Sequence, residues 1–412
     1  DKTPELEYFY PTNTLVTGYD IIFFWIARMI MFGKHIMGER PFDTVYVHGI
    51  MRDEQGRKMS KSLANGIDPL EIIRDYGADS LRFSLITGTA AGGDMRFQLK
   101  KVEAARNFCN KVYNATRFVI MNAEDEDIGE IDVSLLDIAD KWILCRLNSV
   151  IREVTASIDS FDLNLAAQKI YDFIWSEFCD WYIEMAKPRL YGENTDEKRN
   201  VLAVLIHALV SSMKLLHPFM PFITEELYQN LPKSDASIMI SSWPKANPAF
   251  DFVGDASSAE EIMELIRAIR NTRVEMNVPA SRRTSIVLVT QKNNLDIANS
   301  ASIYFMRLAS AHEVKVQQDK TGVHVNAVSV VSKFATAYIP LDELIDVSKE
   351  IERINKEIKR VGGEVARAEG KLNNQGFMSK APEKVVHEER EKLESYKKLM
   401  DKLKIRLGEL SK

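Results

Sequence analysis

The most regular pattern of apolar and polar positions lies at the end of the chain. Leu344, Val347, Ile351, Ile354, Ile358, Val361, Val365, Ala368 and Leu372 recur at alternating steps of three and four. Val386, Leu393, Tyr396, Met400, Leu403, Leu407 and Leu410 fall in the same frame. A seven-residue repeat of this kind gives a helix one narrow apolar seam, which a second helix covers. Asn373-Asn374-Gln375-Gly376 and Ala381-Pro382 interrupt the repeat, so residues 341–412 predict an antiparallel coiled-coil hairpin.

Upstream, four stretches near 136–159, 162–190, 197–216 and 218–231 carry apolar residues at helical spacing. Breakers at Asp159-Ser160, at Pro188 with Gly192-Glu193-Asn194, and at His217-Pro218 separate them. Residues 135–250 therefore predict a bundle of antiparallel helices. The aromatic run from Phe173 to Tyr182 could stack on bases, but at helical spacing such a stripe belongs to a core. Residues 251–340 change character. A helix over Ala259–Met276, strands over 285–290, 312–317, 324–330 and 333–339, and a helix near 302–311 predict a small α/β domain. Arg267, Arg270 and Arg273 repeat every three residues there and predict one basic stripe, facing either water or RNA phosphates.

At the other end, Tyr8 to Gly18 reads as a strand, Tyr19 to Met29 as an apolar helix, and Phe42 to Ile50 as a second strand. Strand, helix and strand in this order predict a βαβ unit of a parallel sheet, part of a Rossmann-like domain over residues 1–66. Two short helices, 69–76 and 78–86, a Gly-rich turn over 87–97 and a helix over 107–121 make 67–134 a helical region. The predicted fold class is multidomain and mostly α.

A chain of 412 residues accommodates two to four domains. Its net charge of −5 requires any nucleic-acid partner to find local basic patches. The heptad region supplies one, with 17 Lys and Arg against 13 Asp and Glu from Leu344 onward. Cys109, Cys145 and Cys179 are scattered, which argues for a reducing compartment and against a disulfide framework or a zinc site. Ile21 to Met37 is apolar but broken by Arg28 and Lys34, too short a run for a membrane span. The expectation is a cytoplasmic protein without a membrane partner.

Candidate chemistry concentrates in Lys58-Met59-Ser60-Lys61-Ser62. Two lysines and two hydroxyls without a carboxylate form a donor cluster suited to a polyphosphate. The cluster follows the strand that ends at His48-Gly49, the edge of an open α/β sheet where nucleotides bind. Asp20 either caps the following helix or accepts from a ribose hydroxyl. Trp25 is either core or pocket wall, and His48 alone reads as a structural residue at a strand end.

The run Lys58 to Ser62, with Asn65-Gly66-Ile67-Asp68-Pro69 and Tyr76-Gly77-Ala78-Asp79-Ser80-Leu81-Arg82-Phe83, resembles the signature loop of class I aminoacyl-tRNA synthetases. Within that class it is most similar to the valine-specific branch. Ala64 stands where that family has Gly. The resemblance implies that Lys58 and Lys61 act on the phosphates, with Met59, Ser60 and Ser62 also at ATP. It implies that Gly18 and Asp20 face the adenylate, that His48 and Gly49 lie beside adenine, and that Trp25 borders the amino acid. ATP with Mg2+, valine and the valine tRNA would be the partners of a monomeric enzyme. Phe173 to Glu184 and Leu216 to Leu227 resemble an anticodon-binding bundle, and 67–134 the region beneath the tRNA stem. The terminal hairpin, with Lys380 at its tip, resembles a tRNA-gripping arm; Arg267, Arg270 and Arg273 are further tRNA candidates. The class's His-x-Gly-His string does not occur. The sequence is therefore expected to begin within the catalytic domain, with the first half of the nucleotide fold and an editing insertion upstream. Two other readings stand beside this one. An isoleucine-type fragment is disfavoured because those enzymes end in a cysteine-rich zinc module. A non-catalytic tRNA-binding or scaffold protein derived from a synthetase would carry the same motifs.

Overall fold

A computed structural model describes residues 3–60, 62–88, 92–124, 126–232, 235–344, 347–374 and 382–410. The chain divides into two compact units, residues 1–260 and 261–412.

In the first unit, Thr3 accepts a hydrogen bond from the Leu6 N–H and Pro4 occupies the first helical turn, so Pro4–Phe9 is a helix. Capping and a pre-set proline outweigh the β-propensity of Tyr8 and Phe9. Strand β1 therefore begins only at Thr12, not at Tyr8 as the aromatic pattern suggests, and runs to Gly18. It pairs in parallel with β2 (Phe42–His48), with Gly18 opposite His48. The connection between them is helical but irregular: π-helical stretches Ile22–Ile26 and Gly33–Met37 flank an α-helix at Ala27–Phe32. Beyond β2, the short β3 (Met51–Arg52) pairs in parallel with β4 (Met95–Arg96). The Gly-rich stretch, expected as a plain turn between helices, thus returns to the strands.

Helices Pro69–Tyr76, Ala78–Ile86 and Leu99–Ala123 lead into the bundle helices Ile138–Asp159, Thr195–Leu216 and Pro221–Tyr228. Residues 163–190 form one further helical stretch with a π segment over Phe173–Tyr182. Phe173, Phe178, Trp181 and Tyr182 are buried, so the aromatic stripe is scaffold. Asp140, fully buried, accepts from the Tyr182 hydroxyl at 2.6 Å and from both terminal nitrogens of Arg189 at 2.6 and 2.8 Å. Such a charge is tolerable in a core because every lone pair it exposes has a donor. Thr195–Leu216 is long and apolar enough to cross a membrane, and 72% of its most apolar window is buried within the protein.

Asp79 and Arg82 join the short helices to this bundle. The Asp79 carboxylate accepts from the Ile223 N–H at 2.7 Å and the Phe222 N–H at 3.4 Å, at the start of Pro221–Tyr228. Arg82 donates to the carbonyls of Pro218 and Phe219 at 3.2 and 3.3 Å. One negative and one positive side chain thus satisfy the donors and acceptors that a helix start and its preceding turn leave over.

The second unit holds a four-stranded sheet in the order β6-β5-β8-β7. Its strands are β5 (Thr284–Thr290), β6 (Ala311–Gln317), β7 (Ala327–Val331) and β8 (Ala335–Pro340), with only β5 and β6 parallel. Arg267 and Arg270 are exposed on the preceding helix, but Arg273 is only 6% exposed. It donates to the carbonyls of Pro279 and Arg282 and lies 3.5 Å from the Thr284 hydroxyl. The expected three-arginine stripe is corrected to two: a step of three residues lags about 60° behind a helical turn, so the third position rotates off the face. Helices Val347–Asn373 and Glu383–Leu410 pack against each other in opposite directions. Lys371 pairs with Glu389 at 3.3 Å and Lys397 with Glu369 at 2.8 Å. Ile354, Val361 and Ala368, seven residues apart, are buried seam positions among the described residues of the first helix. The predicted tip with Lys380 lies outside the described residues.

Replacing Asp79 with alanine leaves two helix-start amides without their acceptor and should cost about 1–3 kcal/mol. Asp75→Ala, which removes only an exposed pair with Arg74, should stay within about 0.5 kcal/mol. Denaturant unfolding of both variants checks this.

Candidate active site

The candidate site forms where the parallel strands end. Gly18 and His48 are register partners at the carboxyl ends of β1 and β2. Parallel pairing brings both strand ends, and the turns that leave them, to one edge. The approach is close: a Cβ on Gly18 would lie 2.9 Å from Asp20 Oδ1 and 3.5 Å from the His48 ring. His48 Nδ1 is 2.8 Å from the Gly49 carbonyl oxygen, which can only accept, so the ring proton sits on Nδ1. At Gly49 a Cβ would fall 2.0 Å from the Gly93 carbonyl oxygen. Only glycine lets the Gly-rich stretch cross here.

Asp94 ties these turns together. One oxygen accepts from the Ile50 N–H at 2.8 Å; the other accepts from Arg52 Nε at 2.5 Å and from the Tyr19 hydroxyl at 3.2 Å. The Ile50 N–H first, and then Arg52, hold the Asp94 carboxyl below its ordinary range. Tyr19 and Asp20 follow β1, Ile50 follows β2, and Arg52 lies on β3, so a single carboxylate spans three segments.

The lysine loop grows from β3. Asp53, almost fully buried, accepts from the Arg57 N–H and Nε, both at 2.7 Å, and from the Asn65 amide at 2.9 Å. The Asn65 amide chiefly, and Arg57 after it, pull the Asp53 carboxyl from 3.8 down to about 2. Because its folded value is depressed, these bonds stabilise the fold at neutral pH and are lost as pH falls toward about 2. Lys58 bridges back to Arg52 in the backbone, and its ammonium lies 3.4 Å from Asp20 Oδ2. The Ser60 N–H donates to Asn65 Oδ1 at 3.0 Å, and the hydroxyls of Ser60 and Ser62 are 3.1 Å apart. Ala64 takes a φ of 48°, a left-handed conformation that costs a residue with a Cβ about 1–2 kcal/mol.

Gly18, Asp20, His48, Gly49 and Lys58 are thus brought to one edge, with Ser60 and Ser62 in the adjoining loop and Met59 half-buried beside them. Lys61 lies outside the described residues. Trp25 sits on the irregular helical stretch and is 58% exposed, which excludes the core alternative within this chain. Asp20 meets Lys58, and the helical turn it belongs to starts after Gly18 with no side-chain cap. Sequence reasoning missed Tyr19, Arg52, Asp53 and Asp94. The spacing Asp53-Glu54-Gln55-Gly56, with Gly56 at φ 82°, was a readable turn signal. Asp94 had none, since its partners lie more than 40 residues away. A cavity lined by Val16, Tyr46, His48, Met95, Phe161 and Leu163 adjoins the site. There Tyr46 stacks on Phe161 from the bundle corner, with centroids 5.9 Å apart.

Three family descriptions match the chain. Residues 1–98 match "tRNA synthetases class I (I, L, M and V)", residues 140–288 the "anticodon-binding domain of tRNA ligase", and residues 346–411 the "valyl tRNA synthetase tRNA binding arm". Over 411 residues, all of this chain, it is 50% identical to 47% of the valine–tRNA ligase of Clostridium acetobutylicum and 52% identical to 47% of that of Clostridium tetani. It is 45% identical to the Bacillus subtilis valine–tRNA ligase over 404 residues, 98% of this chain and 46% of that protein. The chain spans about half the length of the curated relatives it matches.

Gly49→Ala should displace the Gly93 crossing and cost about 1–3 kcal/mol through overpacking. At Gly66 an added methyl meets nothing within 4 Å, so Gly66→Ala should stay within about 0.5 kcal/mol. Thermal unfolding of the two variants gives the comparison.

Proposed function

We infer that this chain is part of a valine–tRNA ligase, which joins valine to ATP as valyl-adenylate, releases pyrophosphate and passes valine to its tRNA. The observation that carries this reading is the meeting of Gly18, Asp20, His48 and Lys58 beyond the paired ends of two parallel strands, inside a chain about half identical to such ligases throughout. Adenine would rest against His48 and Gly49, and its ribose would hydrogen-bond to Asp20. The valine carboxylate attacks the α-phosphorus and pyrophosphate leaves. Lys58 and Lys61 neutralise the charge that grows on the α-phosphoryl oxygens and on the departing pyrophosphate. Lys58 lies 3.4 Å from Asp20 Oδ2, so ATP would exchange one anionic partner for another. Ser60, Ser62 and the Met59 backbone complete the phosphate side, and exposed Trp25 would supply an apolar wall for valine. Mg2+ would enter with ATP, bound to the phosphate oxygens, as the chemistry of a polyphosphate implies.

Residues 1–66 would then be the second half of the catalytic domain and 67–134 the contact beneath the tRNA stem. The bundle at 135–250 would read the anticodon. The paired helices at 341–412 would form a coiled-coil arm on the tRNA, with Lys380 near its tip and exposed Arg267 and Arg270 as further phosphate contacts. A cytoplasmic setting suits the three free cysteines.

In the full-length ligase, Lys58→Ala and Lys61→Ala should each lower kcat for valine-dependent pyrophosphate exchange by about 10²–10³-fold, with a smaller change in KM for ATP. A changed KM alone would assign the lysine to ground-state binding. Deleting residues 341–412 should weaken tRNA binding and leave pyrophosphate exchange intact. The log–log salt dependence should flatten by about 0.7–0.9 for every phosphate that the shortened protein no longer neutralises. Unaltered affinity and slope, with a changed sedimentation coefficient, would make the arm a protein contact instead.

A further inference from the structure

Resting on the ligase reading, we propose that Asp53 and Asn65 are positioning residues for the reaction, a two-residue latch that sets the backbone of the lysine loop and so the place of Lys58. Asn65 uses its whole amide. Nδ2 donates to Asp53 Oδ2 at 2.9 Å and lies 3.3 Å from the Lys58 carbonyl oxygen, while Oδ1 accepts from the Ser60 N–H at 3.0 Å. It therefore grips the loop on both sides of Met59 and fastens it to a carboxylate twelve residues upstream. Asp53 is itself fixed by the Arg57 N–H and guanidinium, and its carbonyl accepts from the Gly56 N–H at 2.9 Å. The residue before Asn65, Ala64, is held at φ 48°, a conformation that turns the chain so the amide points back across the loop.

The chemistry requires these two side chains. Position 65 must donate and accept at once, which a carboxylate cannot do at neutral pH, and Asp at 65 would set two negative oxygens against each other. Alanine there removes all three bonds. Lys58 would keep its charge but lose the backbone geometry that aims it, the kind of displacement that lowers the rate of a bound substrate without weakening its binding.

The test has two arms. In the full-length ligase, Asn65→Ala and Asn65→Asp should each lower kcat for valine-dependent pyrophosphate exchange by about 10²-fold, with KM for valine within about twofold of wild type. Asp53→Asn combined with Asn65→Asp restores a donor facing a carboxylate and should recover much of the Asn65→Asp loss. In this chain by itself, Asn65→Ala should speed tryptic cleavage after Lys58 by about tenfold, with an unchanged far-ultraviolet spectrum. Unchanged cleavage, or kcat within about twofold of wild type, would overturn the latch. Loss of helical signal in Asn65→Ala, with no rescue by the double variant, would make Asn65 a residue of the fold and also overturn it. Wild-type full-length protein without valine-dependent exchange would refute the ligase reading, while the cleavage arm would still decide the latch.

Discussion

The geometry of the candidate site depends on one carboxylate. Asp94 accepts from a backbone amide, a guanidinium and a phenol that belong to three different segments, all at the edge where β1 and β2 end. A two-stranded parallel sheet has little stability of its own, because parallel strands need a long crossover and both faces covered. Charge-assisted hydrogen bonds donated to Asp94 replace some of that support locally. The same residue explains why the glycine-rich stretch returns to the strands and does not merely turn. Asp94 must reach Ile50 and Arg52, and the backbone ahead of it must pass Gly49 at a distance that no Cβ allows.

Around that knot the first unit combines rigid and yielding parts. The bundle is closed by apolar packing and by the buried Asp140 carboxylate, which accepts from Tyr182 and Arg189. It meets the strands at one corner, where Phe161 stands at a φ of 62° so that its ring can stack on Tyr46. Strain of this kind persists where surrounding contacts over-determine the residue. The lysine loop, by contrast, is fastened by hydrogen bonds from Asn65 and Arg57 to Asp53 and from the Ser60 N–H to Asn65. Hydrogen bonds of this number can orient a lysine and still let it leave Asp20 for a phosphate.

The irregular stretch between β1 and β2 follows a different logic. Phe23, Phe24, Trp25, Met31, Phe32 and Ile36 are all exposed, although their hydrophobicity would place them in a core. Hydrophobic burial is non-directional: it asks for cover without specifying which element supplies it. Within this unit the bundle draws its own apolar side chains inward and leaves that stretch uncovered.

Read without its structure, the chain already declares what depends on near neighbours in sequence. The helices of the bundle, the heptad seam marked by Ile354, Val361 and Ala368, the parallel βαβ unit and the lysine loop all follow from periodicities of a few residues and from turn chemistry. Where neighbouring signals compete, the pattern misleads: Thr3 and Pro4 made a helix of residues whose aromatics suggested a strand. Tertiary structure decided the rest, because it sets distances between residues far apart in the chain. It paired Lys58 with Asp20 across 38 positions and brought Asp94 to Ile50 across 44. No local period encodes such meetings; they exist only once parallel strand ends have come to one edge.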